Sequence, residues 1–187
     1  MTSTVGGNII LARRTFVLDR GGSELWERIL GRLPAADAVQ LRRTLLVTSK
    51  YPLELNRHLD EAIAEELYPG EPDRAFLEMG RKSAEVNLGG PHKAFVRNGD
   101  PHHLLGFTET IYSYYYGEGR RTYEKTGPTS AVLITHDAPP STAADCLTVV
   151  GWHERALELS GAKAVKLVEV RCRSRGGAVC EYHLSWS

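Results

Sequence analysis

The segment that decides the fold is "AADCLTVVGWHERALELSGAKAVKLVEVRCRSRGGAVCEYHLSW", Ala143 to Trp186. It begins with a long helix, because Thr142 and Asp145 stand at capping-box spacing just before an apolar stripe. That stripe contains Cys146, Val149, Val150 and Leu157. Two valine-rich segments on either side of Gly176-Gly177 follow and predict a final β-hairpin. This part of the chain therefore reads as a helix packed on antiparallel strands.

Helical patterns dominate the chain upstream of this segment. Helices are predicted at 21–34, with Ser23 as the cap, and at 37–47, 52–70 and 71–90, each from apolar spacing and terminal signals. A short extended stretch is predicted at Ile9 to Leu18, and two strands are predicted around Gly127-Pro128.

Helices first and strands later predict an α+β fold. Its helical N-terminal half packs on a C-terminal α/β half, which has a mainly antiparallel sheet, one long helix and the final hairpin. We expect a single ligand-binding domain over 1–187, with the helical half at 1–110 and the α/β half at 111–187. At 187 residues the chain is long enough for one core without staples.

Composition narrows the function classes. The 23 basic residues balance the 23 acidic ones, and no basic run exceeds two residues, so nucleic acid is not an expected partner. No secretory signal and no membrane span are recognised, which predicts a cytoplasmic protein. Phosphate-binding glycine loops, the nucleophile elbow and the His-Glu-x-x-His helix are missing, so no catalytic residue is assigned and an enzyme is not expected.

Two cysteines flank the glycine turn of the final hairpin. If residues 175–177 form a three-residue loop, Cys172 faces Cys180 with Cβ atoms about 4.5–5.5 Å apart. That distance suits two thiolates on one tetrahedral zinc ion, nearly suits a disulfide, and is also compatible with two plain thiols.

A third cysteine and a glutamate extend this pair. Cys146 lies near the helix start, where a thiol is expected to have a lowered pKa. Glu169 precedes Cys172 by three residues, so a regular strand would place the two on opposite faces. A β-bulge or strand end between them is required if both are to reach one site.

The set Cys146, Glu169, Cys172 and Cys180, at separations of 23, 3 and 8, resembles the structural zinc site of 4-vinyl reductase-type ligand-binding domains. The resemblance covers about 143–186, is looser upstream, and includes sensor domains that respond to aromatic effectors. It implies structural zinc held by these four residues, with no open catalytic position. The wider superfamily includes haem-nitric-oxide-binding domains and subunits of Golgi tethering complexes, and it implies an apolar ligand cavity between the two halves.

The stretch "PHHLLGFTETIYSYYYGEG", Pro101 to Gly119, is rich in aromatic residues and predicts the wall of such a cavity or, equally, a core seam. The candidate ligand-binding residues are His102, Phe107, Tyr112 and Trp152. Haem is not expected, because the Tyr-x-Ser-x-Arg motif with which haem-binding relatives hold the propionates is absent.

The leading functional hypothesis is a non-catalytic sensory or regulatory domain that binds an apolar or aromatic small molecule. The resemblance also implies a homodimer, with an exposed strand near 9–17 pairing across it, and a downstream regulatory protein as partner. The alternatives are an assembly protein with a lipid-filled or closed cavity, a haem-NO-binding-like sensor, and an enzyme of tetrapyrrole metabolism.

Overall fold

Helices form the first part of the chain and strands the second. The computed structural model describes residues 3–139 and 142–187. In chain order the elements are β1 (Thr4–Gly6), α1 (Gly7–Leu30), α2 (Ala35–Arg42), β2 (Lys50–Pro52), α3 (Leu53–Leu67), α4 (Pro72–Gly89), α5 (Pro101–Leu105), α6 (Thr108–Tyr115), β3 (Arg120–Gly127), β4 (Ser130–His136), α7 (Ala143–Leu159), β5 (Lys166–Arg171) and β6 (Cys180–Ser185).

The main sheet is antiparallel throughout, in the order β3-β4-β6-β5, and a small β1-β2 pair accompanies it. The predicted α+β class, the long helix and the final hairpin are therefore confirmed. Within 3–139 and 142–187, no helix combines the length and the apolar character needed to cross a bilayer.

Helix α7 joins the two halves, because its opposite faces enter different cores. Trp152 and Ala156 pack into the core of the helical half, whereas Cys146 and Leu157 pack against the sheet. On the helical side α7 runs backbone to backbone against α4. A Cβ atom added at Gly151 would lie 2.1 Å from the Leu77 carbonyl oxygen, a distance that no side chain tolerates.

The predicted extended stretch at Ile9 to Leu18 is wrong, because these residues belong to α1. Their β-branched and aromatic residues favour a strand locally. The helix nevertheless buries one continuous face, from Ile9 and Ile10 to Phe16 and Val17, against the other helices, and this burial overrides the local preference. The strand pairing expected there for a homodimer therefore has no basis in this structure.

Helix α1 contains the predicted helix at 21–34 after a break. Gly21 and Gly22 leave helical geometry, with Gly22 at φ 62°, and the chain is helical again from Ser23 to Leu30. Positive φ at this point requires glycine.

The connection in the final hairpin is longer than predicted. It runs from Cys172 to Val179 and includes a 3-10 turn at Arg173–Arg175, followed by Gly176 at φ 84°. Gly176 thus adopts the left-handed conformation, and Arg171 pairs with Glu181 in the register that was expected beside Cys172 and Cys180.

Candidate functional site

Three thiols and one carboxylate meet where α7 begins and the final hairpin ends. The Cys146 Sγ atom lies 3.3 Å from Cys172 Sγ and 4.0 Å from Cys180 Sγ. One ligand atom from each cysteine and one from Glu169 all lie within 4.8 Å of one another. The three cysteines are buried and form no disulfide. The structure therefore brings together all four residues predicted as metal ligands.

A β-bulge makes this meeting possible. Glu169 pairs with Tyr182 and Arg171 pairs with Glu181, so Val170 is an extra residue in the ladder. The bulge changes which residues face inward, so Glu169 and Cys172 reach the same side. The required irregularity between these two residues is thus confirmed.

Glu169 has one carboxylate oxygen that lacks a protein partner. Its Oε2 atom accepts a hydrogen bond of 2.8 Å from Arg175, while its Oε1 atom is buried without a partner among the described residues. A buried carboxylate oxygen without a donor is costly unless a cation or a proton fills the position. With metal–sulfur bonds of about 2.3 Å, tetrahedral geometry places sulfur atoms about 3.8 Å apart, which is close to the observed spacing. The donor set and spacing fit a four-coordinate, thiolate-rich metal site.

The thiols differ in acidity. Hydrogen bonding with Cys146, supported by the Arg173 amide, lowers the pKa of Cys180 to about 6 although burial opposes this. The hydrogen bond with Cys180, together with burial, raises the pKa of Cys146. The prediction that the helix start lowers the pKa of Cys146 is therefore wrong for the protein without a bound cation. Neighbouring thiols and desolvation outweigh the effect of the helix dipole.

A cavity lies between the helical half and the α/β half. Its larger lobe contains about 730 Å³ free of protein atoms, part of it open to solvent, and its smaller lobe about 440 Å³. The lobes share Leu53, Tyr112, Tyr116, Arg121, Asp145 and Val149, so they are adjoining. The smaller lobe is also lined by Cys146 and Cys180, which places the thiol cluster in the cavity wall.

Two of the four predicted ligand-binding residues line this cavity. Tyr112 belongs to both lobes and Trp152 to the larger one, where its indole N–H donates a 3.0 Å hydrogen bond to the Tyr115 hydroxyl. His102 and Phe107 line neither lobe. The His102 ring bonds to the Tyr123 hydroxyl and the Pro128 carbonyl, and it packs against Trp186.

Phe107 packs against Phe95 and His103, outside the cavity wall. The aromatic stretch at 101–119 thus divides. Its first aromatic rings, those of His102, His103 and Phe107, lie outside the cavity wall, whereas the rings of Tyr112, Tyr115 and Tyr116 line the larger lobe together with Leu104 and Leu105. Sequence alone could not separate the two parts because both are aromatic.

Sequence reasoning missed a buried ion pair in the cavity wall. The Arg13 guanidinium bonds to both carboxylate oxygens of Asp60 at 2.6 and 3.1 Å, and also to the Met79 carbonyl and the Ser83 hydroxyl. Every nitrogen of Arg13 therefore has an acceptor, and this residue serves the packing of α1, α3 and α4.

Arg121 was also missed. It is 7% exposed and lines both lobes, and its Nε atom donates 2.9 Å to the Thr135 hydroxyl across the β3-β4 pair. An arginine that points inward from an edge strand gives no distinctive sequence signal.

His153 lines the larger lobe, in agreement with its place on the inward stripe of α7. Its Nδ1 atom bonds to the Val149 carbonyl at 2.9 Å, which fixes the proton on Nδ1 and leaves the Nε2 lone pair available. Burial, with a contribution from Arg121, lowers the pKa of His153 to about 3. The ring is therefore a neutral imidazole.

The fold is that of haem-nitric-oxide-binding (H-NOX) domains. An H-NOX protein from S. oneidensis in the Fe(II)NO ligation state has a TM-score of 0.75 at 14% identity, covering 97% of this chain and 99% of that one. An oxygen-binding H-NOX domain related to soluble guanylate cyclases has a TM-score of 0.72 at 11% identity, covering 97% and 95%. The Fe(II) unliganded H-NOX protein from K. algicida has a TM-score of 0.65 at 14% identity, covering 97% and 96%.

Residues 28–187 match the family described as "Protein of unknown function (DUF2378)", and the chain belongs to this family. No curated protein matches it. The structural neighbours share the fold of this chain, and the narrower 4-vinyl reductase-type resemblance is not confirmed.

The cofactor prediction is wrong. It assigned zinc and set haem aside, yet solved structures that share the fold are H-NOX proteins described with Fe(II) or with haem. One residue of this chain is suited to haem iron. His153 offers an unprotonated imidazole nitrogen inside a mainly apolar cavity, which is the type of donor that haem iron takes.

Proposed function

We propose that residues 1–187 form a single non-catalytic sensory domain that binds a small, largely apolar molecule in the cavity between its two halves. The observation that carries this proposal is the adjoining pair of lobes lined by Tyr112, Tyr115, Tyr116 and Trp152. Ligand pockets have mainly apolar and aromatic walls with a few polar groups, and the larger lobe fits that description.

The polar atoms of this wall suit recognition rather than catalysis. Burial raises the pKa of Tyr115 and of Tyr116, so both phenols stay protonated. The hydroxyl of Tyr112 is engaged with the Glu118 carbonyl. Neutral aromatic groups that are fixed in place orient a planar ligand and supply no nucleophile.

Binding between the halves offers a route to signalling. A ligand that favours one arrangement of α7 against α4 shifts the population toward that arrangement. We propose that this change passes to a regulatory partner or to a second copy of the chain.

The cluster of three cysteines and one glutamate has a separate, structural role in this proposal. We propose that Cys146, Glu169, Cys172 and Cys180 hold one thiophilic metal ion that ties the start of α7 to the hairpin. Four protein ligands leave no position open for substrate, so the ion would be structural.

Haem is a second candidate for the cavity, and His153 is the observation that favours it. His153 would hold the iron through its Nε2 atom, and the iron would supply a binding site for a further small ligand. Reconstitution with haem and an absorbance scan test this candidate. A Soret band that shifts in His153→Ala supports haem binding through His153. If no Soret band forms after reconstitution, haem is rejected as the ligand.

The primary proposal is tested with 2-naphthol as a neutral aromatic probe, by isothermal titration calorimetry. Thr108 is buried in the wall of the larger lobe, whereas Thr110 is exposed on the same helix. Thr108→Phe should place a ring inside the lobe and abolish binding, and Thr110→Phe should bind as the native protein does. Failure of the native protein to bind at millimolar concentration, or equal binding by Thr108→Phe, would contradict the proposal.

A further inference from the structure

The cavity wall contains a guanidinium group, that of Arg121, which forms no ion pair among the described residues. Arg121 is 7% exposed, and only its Nε atom has a hydrogen-bond acceptor, the Thr135 hydroxyl at 2.9 Å. Its Nη1 and Nη2 atoms have no acceptor and no ion-pair partner among the described residues. Met1, Thr2, Pro140 and Ser141, which lie outside the described ranges, carry no side-chain carboxylate.

The groups nearest to Arg121 compensate its positive charge only in part. The guanidinium carbon lies 5.1 Å from the ring centroid of Tyr112 and 6.0 Å from that of Tyr182. Aromatic faces attract a cation but do not accept its hydrogen bonds along the N–H directions. Asp145 also lines the cavity, but it forms no ion pair with Arg121, and its Oδ2 atom accepts hydrogen bonds from the amide and hydroxyl of Thr142 at the start of α7.

Arg13 provides a contrast within the same cavity. It is equally buried, and the carboxylate of Asp60 neutralises it with two hydrogen bonds. At Arg13 the fold thus supplies its own anion. The lack of one at Arg121 points to an anion that comes from outside the chain, because a buried unpaired charge is costly.

We propose that Arg121 binds the carboxylate of the cavity ligand, so that the ligand class is an aromatic or amphipathic monocarboxylate. This inference rests on the proposed function and names its ligand. The two terminal nitrogens form a fork that matches a carboxylate in a bidentate pair. One unbalanced cation accommodates one negative charge, which favours a monocarboxylate over a phosphate dianion. The apolar remainder of the ligand lies among the tyrosines that flank the fork.

The test compares two probes of the same shape, 2-naphthoate and 2-naphthamide, by calorimetry on the native protein. The carboxylate should bind about 10- to 100-fold more tightly than the amide, because hydrogen bonds between charged partners are the stronger ones. In Arg121→Met the two probes should bind with equal affinity. Arg120, the exposed neighbour on β3, supplies the matched control, since Arg120→Met should keep the preference.

Stability of the ligand-free protein separates a binding role from a structural one. If Arg121 serves to bind an anion, its buried charge destabilises the protein when no ligand is present. Arg121→Met should therefore melt at the same temperature as the ligand-free native protein or higher. A lower melting temperature would indicate a packing role and overturn the inference. Equal binding of naphthoate and naphthamide by the native protein would overturn it as well, while the proposed function would stand. If neither probe binds, both proposals fail.

Discussion

The close contact between α4 and α7 provides a prediction whose size follows from the structure. An added Cβ atom would lie 2.1 Å from the Leu77 carbonyl oxygen at Gly151 and 2.2 Å from the Thr148 carbonyl oxygen at Gly80. The two glycines therefore let the helix backbones touch on both sides of one interface. This interface also holds the two halves of the domain, and Gly80 lines the cavity.

Gly151→Ala should destabilise the protein markedly. The helices must separate by about 1 Å before a Cβ atom is tolerated, and a gap of that size forfeits roughly a quarter to a half of each dispersion contact across it. Overpacking of this kind costs roughly 1–3 kcal/mol, and we expect the upper end because backbone atoms cannot rotate away. For a chain of this length, 3 kcal/mol lowers the melting temperature by about 6–12 °C.

Gly89, on the partner helix α4, is the control. It is the last residue of α4, and an added Cβ atom meets nothing within 4 Å. Gly89→Ala should leave stability unchanged or raise it by up to about 1 kcal/mol, since alanine is the better helix former. Urea unfolding followed by circular dichroism measures both variants. A Gly151→Ala protein as stable as the native chain would refute the argument.

Three further predictions concern buried polar groups. Asp60→Asn should cost about 3–5 kcal/mol in urea unfolding, because it leaves the Arg13 guanidinium buried without a counter-charge, and a loss below about 1 kcal/mol would contradict the ion pair. His153 has a folded-state pKa of about 3, below its ordinary value, so the unfolded state binds more protons and stability falls as pH drops below about 6.5, by roughly 3 kcal/mol at pH 4.5. His153→Gln should flatten that part of the pH profile, and an unchanged slope would show that another group causes it. Chelation should expose all three thiols to Ellman's reagent and lower the melting temperature, whereas free titration of the thiols before chelation would argue against a bound metal.

Local patterns determined most of the elements. The capping box formed by Thr142 and Asp145 gives the start of α7 and is present as predicted. Helices α3 and α4 end near their predicted glycines, since proline and glycine act through backbone geometry that needs no tertiary partner. The meeting of Cys146, Glu169, Cys172 and Cys180 was implied by the resemblance to 4-vinyl reductase-type domains, and strand alternation then required a bulge, which the structure contains.

Only the tertiary structure decided the state of residues 9–18 and the polar character of the cavity. A stretch rich in Ile, Val and Phe becomes helical because α1 buries one face against α3 and α4, a gain that local propensity does not include. Arg13 and Arg121 look alike in the sequence, yet packing gives one a carboxylate partner and leaves the other without one. Composition fixes which charges a chain has, whereas the fold determines which of them are neutralised when they are buried.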